Sequence, residues 1–311
     1  MYFPYLRGRQ YELLALRELV TNNLLGKNVI PIIEPVKLSA TLVSVIKAFV
    51  KAEHFIAVIL NPEVGTYTSE VSYIQDKPYS EYVLDEYNDP YIIKSIIMGE
   101  SANDFINSTR INKSNLLVVN NKQDFLNLYE KEFNGISPKY SLIPDEGTFR
   151  RKVRSNKVLL DDKFNKRARN SDYKKYVDEF FSDDHLYYKN DNFIGFSDYS
   201  IVGEEYNEVG FAPYAVAIHI VYFDSDKNLR IRHFVSESNE DITNTAGKFY
   251  EAVTKLNNWF NSEPHPVKAT MGLKAFLQHC AKKTYPGLGT VKKLSLMHHL
   301  ELMSDYLDNG V

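Results

Sequence analysis

The sequence predicts an α/β fold, a (β/α)8 barrel of the TIM type. Three observations carry this: eight short apolar runs, helical or polar segments between successive runs, and polar residues at the carboxyl end of almost every run. Strands buried on both faces of a parallel sheet read as near-continuous apolar stretches. The 311 residues suit one barrel of about 250 residues with a small appendix. An open doubly wound sheet is the competing arrangement, because no literal repeat marks the eight units.

The first unit is a short aromatic strand, Tyr2 to Arg7, then Gly8 and a helix over Tyr11 to Val20 whose leucines recur at helical spacing. Val29-Ile-Pro-Ile-Ile-Glu-Pro-Val-Lys37 is the second strand, with its return helix at 38–52. Phe55 to Glu63 is the third, followed by an acidic, tyrosine-rich connection with a helix near 77–87. Tyr91 to Met98 supplies the fourth, with a helix from Ala102 to Arg110. Leu116 to Asn121, Tyr140 to Glu146, Lys157 to Lys163 and Phe193 to Tyr199 complete the count. Between them lie helices at 122–132 and 148–154 and a polar stretch with a helix around 172–181.

Beyond residue 200 the pattern changes. Tyr214 to Phe223 and Asn228 to Val235 flank Asp224-Ser-Asp-Lys-Asn228, a hairpin signal. Helices follow at about 244–260, 267–282 and 290–308, with Pro264, Pro266 and Pro286-Gly287 as breaks. The predicted organisation is a barrel over 1–213, a β-hairpin insertion over 214–235 and C-terminal helices over 236–311, packed as one contiguous domain.

Hydrophobic residues at 44% and charged residues at 25% argue against disorder and against a membrane protein. No apolar run approaches a membrane span and the first ten residues are too polar for a signal peptide, so a cytoplasmic location is expected. The single cysteine, Cys280, excludes an intrachain disulfide and a cysteine-based zinc cluster. A net charge of -3 gives no global basic field for nucleic acid. The 22 tyrosines and 18 phenylalanines read as core and loop packing, with an aromatic binding surface as the alternative.

Tyr2-Phe-Pro-Tyr-Leu-Arg-Gly-Arg-Gln-Tyr-Glu12, then Ala15-Leu16 and Pro31-Ile-Ile-Glu-Pro35, resembles the opening of the phage T4 beta-protein family, which also has bacterial members. Gly195-Phe-Ser-Asp-Tyr199 looks like that family's Gly-Asp-Tyr segment with an intervening Ser. The resemblance runs over most of the chain, by motif at the ends and by pattern in the middle. It implies a barrel-like fold and a phage-defence setting among mobile-element genes. It brings no settled activity with it.

One inward parity per strand gives Phe3, Tyr5, Arg7; Ile30, Ile32, Glu34; Ala57, Ile59, Asn61; Ser95, Ile97, Gly99; Leu116, Val118, Asn120; Ser141, Ile143, Asp145; Leu159, Asp161, Lys163; and Ile194, Phe196, Asp198. Most series pass from apolar to polar, as a filled barrel with a polar mouth requires. A bulge would shift the parity by one and exchange Asp161 for Asp162, or Asp198 for Ser197. Converging Glu34, Asp145, Asp161 and Asp198 would repel one another unless Arg7, Lys163 or a cation sits among them.

The first expectation is therefore an enzyme acting on a phosphate-bearing substrate, a nucleotide or nucleic acid. Its catalytic groups would be Glu34, Asp145, Asp161, Lys163 and Asp198, with Glu34, Asp161 and Asp198 holding Mg²⁺ or Mn²⁺. Arg7, Lys37, Asn61, Asn120 and Tyr199 would bind substrate, Arg7 as a bidentate phosphate clamp. Lys163 as a Schiff-base lysine is a further alternative. The competing expectation is that the same charges are structural salt bridges, in a sensor or partner-binding subunit paired with a protein encoded nearby.

Other residues carry weaker signals. The histidines lack ligand spacing; His219 and His233 read as a cross-strand pair and His298-His299 as helix neighbours facing different ways. Gly287-Leu-Gly-Thr290 reads as a break followed by a Thr N-cap. Arg150 to Arg154 and Lys163 to Arg169 form a local basic patch that either meets phosphate or faces solvent.

Overall fold

A computed structural model describes residues 1–74, 79–109, 111–207, 213–262 and 267–310. Eight parallel strands form the predicted barrel: β1 (Tyr5–Leu6), β2 (Ile32–Ile33), β3 (Ile56–Ile59), β4 (Ile92–Ile97), β5 (Leu117–Val119), β6 (Tyr140–Ile143), β7 (Lys157–Asp161) and, after one strand of a second sheet, β9 (Gly195–Asp198). Each pairs with the next in chain order. Tyr2 closes the ring by bridging to both Val29 and Phe196, and the Phe3 N–H donates to the Phe196 carbonyl at 2.8 Å. Closure leaves the parallel sheet no free edge.

Helices α1 (Gln10–Thr21), α2 (Ala40–Lys51), α3 (Tyr67–Ile74), α4 (Tyr79–Glu86), α5 (Ala102–Thr109), α6 (Leu126–Glu132) and α7 (Gly147–Lys152) return the chain between barrel strands. In α2 the spacing of Leu42, Val45, Ile46 and Phe49 puts one stripe against the barrel, and Ser39 caps its start by accepting from the Leu42 N–H at 3.2 Å. The predicted helix near 77–87 corresponds to α4, with residues 77–78 outside the described ones. Arg110, Pro264 and Pro266 also lie outside them.

Inside the barrel, Phe3, Tyr5, Ile30, Ile32, Ala57, Ile59, Ile93, Ile97, Leu117, Val119, Leu142, Val158, Leu160 and Tyr199 form one apolar core. The outer strand faces and helices share a second. Removing each such aliphatic side chain from water contributes roughly 1.5–3 kcal/mol. The inward parity expected for the first four strands agrees with these cores. From β5 onward it is shifted by one residue: Leu117 and Val119 face inward instead of Leu116, Val118 and Asn120; Leu142 instead of Ser141 and Ile143; Val158 and Leu160 instead of Leu159 and Asp161; and Tyr199 instead of Phe196 and Asp198. These strands are apolar on both faces, so their composition does not mark the inner one.

The second correction lies between β7 and β9. Residues 172–181 do not form a helix: a 3-10 turn over Asn170–Lys175 leads into strand β8 (Asp178–Ser182), followed by the short α8 (Asp184–Tyr187). Val177 to Phe181 has the β-branched and aromatic character of a strand and finds a pairing edge. That edge belongs to the predicted hairpin, β10 (Ala217–Phe223) and β11 (Leu229–Val235), making an antiparallel sheet in the order β10-β11-β8.

Helices α9 (Thr245–Phe260), α10 (Met271–Lys282) and α11 (Leu288–Asn309) complete the chain. The N-cap of α11 is Gly287, at φ +88°, and not Thr290. Where α10 crosses α11, Gly272 lies against the backbone of Leu294 and His298, so closely that a β-carbon would collide with it. His298 is wholly buried there, its Nε2 bonded to the Val221 carbonyl at 2.7 Å and its Nδ1 to the Thr270 hydroxyl at 2.7 Å.

Candidate functional site

The carboxyl end of the barrel carries a polar network built on β1 and β2. Glu34, the first residue past β2, is fully buried. Its Oε2 accepts from the Tyr5 hydroxyl at 2.7 Å and from the Arg7 guanidinium, and its Oε1 accepts from the Glu63 backbone N–H at 2.8 Å. Gly8 follows at φ +62°, turning the chain where a β-carbon would come within 2.9 Å of the Glu34 carbonyl.

Arg7 is held through both terminal nitrogens, while its buried Nε has no partner. One terminal nitrogen meets Glu34, the other donates to the Glu204 carbonyl at 2.7 Å, and the guanidinium lies 5.1 and 5.5 Å from the Tyr5 and Tyr199 ring centres. Burial alone would lower its pKa, but Tyr5, Glu34 and Tyr199 together keep it above the usual arginine value. The Tyr5 hydroxyl is pushed well up by burial and then by the Glu34 charge, so it stays a donor.

The segment after β9 covers this network. The Glu204 N–H donates to Asp162 Oδ2 at 2.8 Å, and its carboxylate accepts from Asn121 at 3.0 Å and from the Tyr199 hydroxyl at 3.4 Å. Lys122 pairs with Glu63 at 2.7 Å and Lys166 with Glu205 at 2.8 Å. The mouth is thus a network of ion pairs and hydrogen bonds with residues 200–207 packed across it. Glu63, Asn121 and Glu204 join it without having been expected, whereas Tyr5 was expected to face inward and Asp162 is the residue that a one-residue shift of parity exchanges for Asp161. Asn121 and Asp162 are the second members of the Asn120-Asn121 and Asp161-Asp162 doublets, which the corrected parity turns inward.

Of the expected site residues, Arg7, Glu34 and Tyr199 meet here. Asn61 is at the same end, but its amide is consumed by the Ile97 backbone, donating at 2.8 Å and accepting at 2.9 Å. Lys37 is exposed. Asn120 is fully buried with neither amide atom partnered, and alternation places it on the helix-facing side of β5.

The remaining carboxylates do not converge on Glu34. Asp145, at 43% exposure, pairs with Arg150, and Asp161, at 57%, pairs with Lys163 at 2.8 Å. Lys163 also meets Asp184 at 3.0 Å; burial would lower its pKa, but the two carboxylates raise it and keep it charged. Asp198 lies behind the barrel wall, accepting from the Tyr2 hydroxyl and the Ser200 N–H, each at 2.7 Å. Burial pushes its pKa up to about 7. Among the described residues no group of three or more His, Cys, Asp or Glu side chains is arranged to hold a metal ion.

The other motifs resolve locally. His219 and His233 face each other across β10 and β11 with ring nitrogens 2.7 Å apart, and His233 meets Glu179 at 3.2 Å. In the basic patch Arg150 pairs with Asp145, Lys152 with Glu130 at 3.3 Å and Arg167 with Glu179 at 2.6 Å. Among the described residues no helix is long and apolar enough to cross a membrane. No family model, curated protein or solved structure matches the chain.

Proposed function

We propose that this chain is a non-catalytic, partner-binding barrel that takes an extended segment of a second protein along the outer edge of β8. The observation that carries this reading is that edge. β8 pairs with β11 on one side and has no strand on the other among the described residues; Phe180 within it is 50% exposed and Val177, just before it, is 46% exposed. An unpaired strand edge with apolar side chains is a template for strand addition, which charged residues usually blunt. Here the acidic residues are held by the protein's own side chains. Asp178 accepts from Tyr222, Arg230 and Arg232, and Glu179 from Arg167, with His233 beside it.

The mouth supports the same reading. Both terminal nitrogens of Arg7 and both oxygens of Glu34 have partners, though the buried Arg7 Nε has none, so a phosphate or metal would have to displace contacts already made to engage most of this pair. The resemblance of the opening block supports a phage-defence setting for such a subunit.

The test is co-expression with the products of the neighbouring genes, followed by size-exclusion chromatography. A stable complex with one of them, lost in Val177→Lys and Phe180→Lys but kept in Lys37→Ala, is the expected result. A complex that survives both lysine substitutions would contradict it. So would turnover of a nucleotide that Glu34→Gln abolishes with the fold intact, which would return the mouth to the enzyme reading with Mg²⁺ or Mn²⁺.

A further inference from the structure

We infer a binding site at the opposite, amino-terminal end of the barrel: a cavity of about 550 Å³ that takes a small phosphate-bearing molecule of nucleotide size between Lys94 and Lys139. The inference does not depend on the reading of β8 or of the mouth.

The outer row of β4 should be apolar, because it faces the helices. Ile92 and Ile96 obey that rule and are buried in the outer core. Lys94 breaks it, and its half-buried side chain lines the cavity. It makes no ion pair with any described residue, and burial lowers its pKa with only partial compensation from Asp85. Lys139, on the same cavity, lies over the rings of Phe55 and Tyr140 at 4.9 and 5.9 Å and likewise makes no ion pair with a described residue.

Most half-buried lysines elsewhere in the chain are matched, Lys157 being the exception, with the Phe193 ring centre 5.6 Å from its ammonium. Lys113 has Glu132, Lys163 has Asp161 and Asp184, Lys292 has Glu12 and Lys293 has Glu18. Lys94 and Lys139 bring two unmatched ammonium groups to one cavity. The one carboxylate in the lining, Asp89, is engaged by the Tyr91 N–H at 2.9 Å.

Withdrawing an ammonium from water without a counter-charge is unfavourable, and a bound anion supplies that charge with charge-assisted hydrogen bonds. The rest of the lining suits the remainder of a nucleotide. Ile92, Ile111 and Leu116 give an apolar wall, and the amides of Asn88, Asn112 and Asn115 offer both donors and acceptors for a base edge. Ligand pockets generally occupy about 300–1,000 Å³, so the cavity is large enough.

Isothermal titration of the whole chain with adenosine 5′-monophosphate, and separately with inorganic phosphate, tests this. Saturable binding of the nucleotide is expected, with phosphate weaker. Lys94→Met and Lys139→Met should each weaken nucleotide binding by at least about tenfold. Melting curves establish that each variant is folded, and Lys94→Gln replaces Lys94→Met if that one is not. Lys122→Met, at the exposed rim of the mouth, should bind the nucleotide as the native chain does, separating this site from the mouth. No saturable binding of either probe, binding that survives both lysine substitutions, or binding lost in Lys122→Met would overturn the inference.

Discussion

Arg7→Met should be the most destabilising single change at the barrel mouth. It leaves Glu34, fully buried, without its cation, retaining only the Tyr5 hydroxyl and the Glu63 N–H as partners. Breaking a buried ion pair by removing one side costs about 3–5 kcal/mol, because the remaining charge is uncompensated. Arg7 also holds residues 200–207 through the Glu204 carbonyl, so the loss should lie toward the upper end. For a chain of this size, about 2 °C per kcal/mol predicts a fall in melting temperature of roughly 6–10 °C. The double change Arg7→Met with Glu34→Gln removes both charges and should recover most of that loss. Thermal and urea unfolding of the native chain, both singles and the double variant measure this. A melting temperature for Arg7→Met within about 1 °C of native would refute the claim that this pair is a structural seal.

Three further outcomes follow from the same geometry. Asp198 titrates near 3.8 when exposed but at about 7 when folded, burial being the main cause. Between those values the folded chain keeps a proton that the unfolded chain has lost, so this group's contribution to stability should fall as pH rises from about 4 to about 7 and level off above, by at most roughly 4 kcal/mol. Asp198→Asn should flatten that slope and melt above the native chain at pH 8; parallel pH profiles for the two would be the contrary result. Gly272→Ala should force α10 away from the Leu294 carbonyl and cost about 1–3 kcal/mol by urea unfolding, whereas an unchanged midpoint would mean the helices yield freely. Phe180→Lys should change stability by no more than about 0.5 kcal/mol, since its side chain is half exposed, and a larger loss would mean that β8 needs it for its own folding.

The barrel was legible because buried parallel strands need apolar runs and the connections between them need helices, and both survive in composition. The mouth was legible only on the strands whose parity the sequence marks. Arg7 and Glu34 each follow two positions after an inward residue of a short strand bounded by Gly or Pro, so their facing could be read. Leu116-Leu-Val-Val119 and Val158-Leu-Leu160 are apolar on both sides, and the Asn and Asp doublets that follow fit either parity. Only register against neighbouring strands decides between them, and register is a tertiary property. The β8 strand was missed for a related reason. Two acids followed by two phenylalanines and a serine carry no period-2 alternation to distinguish them from a helix turn, and the β11 edge that makes them a strand lies about 50 residues later in the chain.

Amide hydrogen exchange on the complex with a candidate partner distinguishes binding at the β8 edge from binding at the barrel mouth. In the isolated chain, the β8 amides that face away from β11 should exchange rapidly, because an unpaired edge offers them only solvent. On binding, residues 177–181 should become protected while the mouth residues 34, 121, 162 and 204 stay unchanged. Protection that appears at the mouth, with β8 exchanging as fast as before, would contradict the account and show that the partner or ligand enters the barrel instead.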